Sequence, residues 1–158
     1  MLKYPNEDLL NYLKGEIDSV NLISFDQIKA ETSLNSFSKN PKKILLVDDD
    51  EVALFYNKRM IELYMGAESI ETISNPKLVP DFFKLNKSNI DLMILDLNMP
   101  KLNGLELLDI LQKIGLSCPT IILSYNLSEV DQKNLAIFNV IEIWSKPLTE
   151  DQIKDFME

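Results

Sequence analysis

The sequence predicts a doubly wound α/β fold, a five-stranded parallel sheet with helices on both faces, on three observations. Apolar runs of strand length recur from residue 43 onward, segments with helical spacing separate them, and several of the runs end in an acidic, hydroxyl or cationic residue. Ile44-Leu45-Leu46-Val47, closed by Asp48-Asp49-Asp50, predicts a strand over about 43–48. Leu54, Met60, Ile61 and Tyr64 then mark the apolar stripe of a helix over about 51–65. A strand at about 69–73 leads to a helix at about 76–86, where Pro76 suits the first turn and Pro80 is placed to kink it. Leu92-Met93-Ile94-Leu95, ending in Asp96, predicts a strand at about 91–96, with a helix following at about 103–114. Ile121-Ile122-Leu123 and Ser124 close a strand at about 119–124. Ser128 with Asp131 starts a helix at about 128–138, Ile143-Trp144-Ser145 ends a strand at about 140–145, and Thr149 with Gln152 starts a last helix. Such alternation with right-handed crossovers gives parallel strands, whose ligand sites lie at their carboxyl ends.

Residues 1–40 read differently, as a mostly helical N-terminal extension and linker before a domain at 41–158. Leu9, Leu10, Leu13 and Ile17 fall near helical spacing, weakened by Gly15, and residues 32–43 are polar with one Pro. This extension is expected to be an accessory helix, a partner-binding segment or the tail of something larger. A chain of 158 residues holds one ordinary domain and a short extension.

The formal net charge of −9 argues against a nucleic-acid surface, since phosphate neutralisation needs clustered Lys and Arg. A single cysteine, Cys118, makes no internal disulfide, which suits a reduced, cytoplasmic setting. No apolar stretch is long enough to span a membrane, and the N-terminus has no signal-peptide core. With no histidine at all, zinc–histidine sites, Ser–His triads and a histidine phosphocarrier are excluded.

The strand ends carry the chemistry. Two parallel strands ending in Asp48-Asp49-Asp50 and Asp96 bring carboxylates together, where mutual repulsion and desolvation favour a hard cation. Two further strand ends add the Ser124 hydroxyl and the Lys146 ammonium. Acids, a metal, a hydroxyl and a lysine around one pocket suit the handling of a phosphoryl group. Asp50, one place past the paired acids, is expected to cap the helix that follows. Gly104 is expected to serve a turn or close packing, and Met99-Pro100 to shape a loop.

With these residues in this order, residues 43–158, about three quarters of the chain, resemble the receiver domain of two-component response regulators, with its flavodoxin-like strand order. The resemblance rests on the acids after the first strand, Leu95-Asp96-Leu97-Asn98-Met99-Pro100 with Gly104, Ser124, and Lys146-Pro147. It implies that Asp96 is the phosphoacceptor, attacking a phosphohistidine on a sensor histidine kinase or a histidine phosphotransfer protein. It implies Mg2+, or Mn2+ in its place, bound by Asp49, Asp96 and the backbone carbonyl of Asn98, with waters oriented by Asp48. Lys146 would pair with a phosphoryl oxygen, and Ser124 would hydrogen-bond the group and draw its loop inward. The Lys146–Pro147 bond is expected to be cis, as is usual in that family. Asn98 and Asn126 fall where the family tunes the lifetime of its acyl phosphate.

The implied role is that of a stand-alone phosphorelay receiver in the cytoplasm. It would signal to a downstream protein by contact, without membrane insertion or turnover catalysis. Two departures stand out. Family members carry Tyr or Phe three residues before the lysine, where this chain has Ile143; the aromatic residue is Trp144, expected to face the opposite way into the core. Tyr125 is bulkier than the small residue common after the hydroxyl, and narrows access to the pocket. Two alternatives remain open, an unphosphorylated interaction module and a receiver portion of a hybrid histidine kinase; a phosphatase of the haloacid dehalogenase type is rejected. For the phosphatase, Asp48-Asp49-Asp50-Glu51-Val52 fits the opening, but no later acidic strand end follows Lys146, and Asp96 would go unexplained. Flavin binding is disfavoured because the acidic triplet would repel the cofactor's phosphate.

Overall fold

In the computed structural model the described residues are 39–86 and 89–158. The expected extension over residues 1–38 therefore lies outside them. The elements run β1 (Lys43–Val47), α1 (Glu51–Tyr64), β2 (Ser69–Ile73), a 3-10 turn (Pro76–Leu78), α2 (Val79–Asn86), β3 (Leu92–Asp96), α3 (Gly104–Lys113), β4 (Thr120–Ser124), α4 (Glu129–Leu135), β5 (Val140–Ser145) and α5 (Glu150–Met157).

The sheet follows from apolar runs that are buried on both faces. Every residue of β3 and β4 is buried, as are Ile44 to Val47 of β1. That pattern suits central parallel strands covered by helices on each side. All pairings are parallel, in the order β2-β1-β3-β4-β5. From β1 the chain moves outward to β2 and then returns past β1 to β3. The order therefore reverses between β1 and β3, the place where such sheets open a ligand crevice.

Side-chain alternation divides the core into two layers. Ile44, Leu46, Leu92, Ile94, Ile121, Leu123 and Trp144 form one cluster with Leu54, Ile61 and Met65 around α1, and with Leu148 and Ile153 around α5. Leu45, Val47, Met93, Leu95 and Ile122 alternate with these, and are buried on the other face, as are Phe83 of α2, Leu107 and Leu111 of α3 and Leu135 of α4. Each fully buried Leu or Ile contributes about 1.5–3 kcal/mol of transfer free energy, which makes the sheet a rigid base for its loops. Trp144 lies in the first layer, its ring edge-on to Phe156 with centroids 5.5 Å apart, as alternation predicts.

Local signals start most helices. Asp50 caps α1, accepting from the N–H groups of Val52 and Ala53. Ser128–Asp131 and Thr149–Gln152 form capping boxes for α4 and α5, and Asn103–Glu106 does the same for α3. In α1, Leu54 and Ile61 are buried and Met60 and Tyr64 pack at the edge, but Asn57 is buried on the same face.

Two elements differ from the sequence expectation. The helix over 76–86 begins as a 3-10 turn and becomes α-helical at Val79. Pro80 has no N–H to offer the carbonyl of Pro76 four residues back, so that carbonyl accepts from Val79 instead, which is the 3-10 pattern. Helix α4 ends at Leu135 and not near 138, because the chain turns there, with Phe138 N–H donating to Leu135 O at 3.0 Å, to enter β5.

Candidate functional site

Strand register assembles the site. Val47 pairs with Leu95, so Asp48 and Asp96 leave β1 and β3 side by side at the switch point. Asp96 pairs with Leu123, and Ser124 with Ser145, so the hydroxyl and Lys146 follow in a staggered line. The backbone ties these ends together: Leu97 N–H donates to Leu123 O at 3.0 Å and Lys146 N–H to Ser124 O at 3.0 Å.

Asp48, Asp49 and Asp96 each offer an oxygen within 4.8 Å of the others, with Asp49 the more open of the three. Lys146 reaches in from β5: its Nζ lies 2.8 Å from Asp48 Oδ2 and 3.1 Å from Asp96 Oδ1. Asp48 Oδ1 also accepts from the Asp50 N–H at 2.9 Å, and Asp96 Oδ1 from the Asn98 N–H at 3.1 Å. The Ser124 hydroxyl accepts from Asn98 Nδ2 at 3.2 Å and donates to the backbone carbonyl of Asn126 at 2.9 Å. The Lys146–Pro147 peptide bond is cis, as the family resemblance implies.

Burial pushes the Asp48 carboxyl above its ordinary value. The hydrogen bond from Lys146, the Asp50 N–H and the Lys146 charge oppose this without cancelling it, while the Asp96 charge adds to it. For Lys146, burial alone would lower the ammonium's pKa. The hydrogen bonds and charges of Asp48 and Asp96 together outweigh it and hold the group above its usual value, so it is a fixed cation. Three carboxylates face one ammonium. This surplus of negative charge, on oxygen donors open to solvent at Asp49, fits a hard divalent cation such as Mg2+.

The structure thus brings together Asp48, Asp49, Asp96, Ser124 and Lys146, with Asn98 alongside. Three contacts were not expected from the sequence. The Lys146–Asp48 pair joins residues 98 apart; Asn98 binds Ser124 through its side chain; and Tyr125 lies against Lys146, whose Nζ is 5.5 Å from the ring centroid. Their sequence signal is slight: the place of Asn98 two residues after an acidic strand end, and of Tyr125 next to a hydroxyl.

Gly104 shows why no side chain fits behind Asp96. A Cβ there would stand 2.9 Å from Asp96 O and 3.0 Å from Leu97 Cα, both backbone atoms that cannot swing away. Gly104→Ala is therefore expected to shift the β3–α3 loop and to cost about 1–3 kcal/mol, measured by urea unfolding. A variant as stable as the native chain would show that the loop yields freely.

Sheet order and an acidic cluster at the switch point define an α/β protein of flavodoxin-like topology. Residues 44–158 match the sequence model of the response regulator receiver domain, and the chain belongs to that family of two-component signalling domains. It is 26% identical over 112 residues to the transcriptional regulatory protein DcuR of Escherichia coli, covering 71% of this chain and 47% of that one. It is 28% identical over 111 residues to the sensor histidine kinase RcsC of Escherichia coli, covering 70% of this chain and 11% of the kinase. The chain thus spans less than half the length of these relatives. Among solved structures it is similar to a response regulator receiver domain protein from Clostridium thermocellum, 30% identical with a TM-score of 0.60, covering 73% of this chain and 90% of that one. A two-component response regulator from Cytophaga hutchinsonii is 25% identical with a TM-score of 0.63, over 72% and 92% of the two chains. Among the described residues no helix is long and apolar enough to cross a membrane.

Proposed function

We propose that this chain is a phosphorelay receiver that takes a phosphoryl group onto Asp96 from a phosphohistidine of a sensor histidine kinase or a histidine phosphotransfer protein, and signals by protein contact. The observation that carries this reading is the position of Asp96: buried at the switch point, within the acidic cluster, its Oδ1 3.1 Å from the Lys146 ammonium. Residues 41–158 would form the receiver, with 1–40 as an extension, in a cytoplasmic setting.

In the reaction an Asp96 oxygen forms the new O–P bond as the N–P bond breaks, and the imidazole leaves with the bonding pair and later takes up a proton. Asp49, Asp96 and the Asn98 carbonyl would hold Mg2+, with Asp48 orienting its waters. The ion supplies charge neutralisation for the transferring oxygens. Lys146, its Nζ 3.1 Å from Asp96 Oδ1, offers a second, fixed positive charge and would pair with a phosphoryl oxygen. Ser124 can donate to the phosphoryl group only by giving up the carbonyl of Asn126. That exchange would draw the loop after β4 inward and change the surface read by a downstream protein. The product returns to carboxylate by hydrolysis, so the chain is an acceptor and not a turnover enzyme. Similarity to both a transcriptional regulator and a sensor kinase leaves two contexts for this chemistry, a separate regulator or a receiver portion of a hybrid kinase.

Acetyl phosphate with Mg2+ is expected to add one phosphoryl group to the native chain, seen by intact mass, and Asp96→Asn to abolish it. No adduct on the native chain under conditions that label an ordinary receiver would favour an unphosphorylated interaction module. An adduct retained by Asp96→Asn would move the acceptor elsewhere.

A further inference from the structure

Lys146 follows the end of β5, an edge strand with no neighbour beyond it to fasten its last residues. A lysine stem is long and flexible, so the place of its ammonium depends on how firmly the backbone beneath it is held. Sheet pairing supplies one tie, from Lys146 N–H to Ser124 O at 3.0 Å. Two side chains on the helices supply others. Before the lysine, Gln152 of α5 donates from Nε2 to Ser145 O at 3.1 Å and to Ser145 Oγ at 3.0 Å. After it, the Tyr56 hydroxyl of α1 donates to the backbone carbonyl of Leu148 at 3.0 Å, across 92 residues. The other end of the Gln152 amide accepts from the Thr149 N–H at 2.9 Å and from its hydroxyl at 3.2 Å. A backbone N–H only donates, so this contact fixes which end of the amide is oxygen and turns the NH2 group towards Ser145. A glutamate would close the same capping box, but only an amide can also donate.

We propose that Tyr56 and Gln152 are positioning residues for phosphoryl transfer: they hold the chain on either side of Lys146 and so keep its ammonium beside the Asp96 acceptor. This deepens the receiver reading and rests on it. The ammonium stands 2.8 Å from Asp48 Oδ2 and 3.1 Å from Asp96 Oδ1, and a charge donor is most effective on a transferring group when it is held there beforehand. Each tie is a neutral contact of ordinary strength, so losing one lowers the share of molecules with Lys146 in place without abolishing it. Tyr56 has a further consequence by its location. Helix α1 follows directly from the acids at 48–50, so Tyr56 links the helix behind the carboxylates to the loop behind the lysine, and the two sides of the site keep a fixed spacing. A second phenol offers a comparison. Tyr64 OH donates to Glu150 Oε2 at 2.8 Å, binding α1 to α5 itself instead of to the loop that carries Lys146.

The test uses the full chain with acetyl phosphate and Mg2+ and follows loading by intact mass. The Lys146 ammonium is read separately, by its side-chain 1H–15N signal, assigned by its absence in Lys146→Met. An ammonium held by two carboxylates on a side chain 10% exposed is shielded from exchange with water, as freely solvated lysines are not. Tyr56→Phe and Gln152→Glu are each expected to slow loading roughly two- to tenfold and to weaken that signal. Mg2+ affinity by calorimetry should stay native, because the carboxylates are untouched. Raised ionic strength screens the added charge of the glutamate, so a slowing that persists there belongs to the lost donor. Tyr64→Phe should lower the melting temperature by as few degrees as Tyr56→Phe does, yet leave loading and the ammonium signal native. Native loading in both Tyr56→Phe and Gln152→Glu would overturn the positioning role and leave the acceptor reading intact. Slowing with an unchanged ammonium signal, or equal slowing in Tyr64→Phe, would overturn it as well. Failure of the native chain itself to load would remove the acceptor reading, and the positioning role with it.

Discussion

Lys146→Met is expected to lose about 3–5 kcal/mol of stability, because removing one partner of a buried ion pair strands the charges it served. The stranded groups are Asp48 and Asp96, whose side chains are 3% and 5% exposed. The loss should depend on pH, with a definite sign. Burial already raises the Asp48 carboxyl, and Lys146 provides the largest opposing effect through its hydrogen bond. Without the ammonium the carboxyl rises further. A carboxyl raised on folding stabilises the fold in its protonated form, and that contribution is lost as pH climbs from the ordinary carboxylate value through the raised one. Lys146 itself is raised in the native chain, so its contribution is present below the ordinary lysine value and fades only in alkali. The deficit of the variant should accordingly be small at about pH 5 and widen towards about pH 8, as urea titrations at the two values would show. Phosphoryl loading should fall by roughly 100-fold, the usual cost of removing one preorganised charge donor. A deficit that does not change with pH would refute the assignment of the loss to Asp48.

What the sequence made legible was whatever depends on order and period. Apolar runs ending in Asp48, Asp96, Ser124 and Lys146 identify strand ends, and a parallel sheet sends all strand ends to one side. Asp50 as a cap and Trp144 as a core residue follow from position and alternation alone, and both stand where these rules put them. What stayed hidden depends on which rotamer a side chain adopts across long separations. That Lys146 joins Asp48 as well as Asp96, and that Asn98 spends its amide on Ser124, need three-dimensional proximity of chains 98 and 26 residues apart. Asn57 interrupts the stripe of α1, and nothing in a periodicity argument places an amide on a buried face. The break between the 3-10 turn and α2 was readable in principle, since Pro80 lacks the N–H that Pro76 O needs, but an i-to-i−4 rule must be applied to see it.

A divalent cation should stabilise this protein, and the variant that loses the effect should be no worse without the ion. Asp48, Asp49 and Asp96 crowd within 4.8 Å, and the single ammonium of Lys146 leaves negative charge in excess. An ion that binds only the folded chain adds about 2.7 kcal/mol when present at 100 times its dissociation constant. For a domain of this size that corresponds to a rise of roughly 10 °C in melting temperature. Asp49→Asn keeps the shape of the side chain and removes one of the three negative charges. In EDTA it should melt at or slightly above the native temperature, since like-charge repulsion is relieved. In saturating Mg2+ it should melt well below the native chain, because the ion-dependent gain has gone. A structural role for Asp49 predicts the opposite in EDTA, a variant less stable than the native chain with or without the ion. Paired thermal melts therefore separate the two accounts by sign. A native chain indifferent to Mg2+ would remove the metal from the site, and with it the neutralising charge that the proposed transfer onto Asp96 would use.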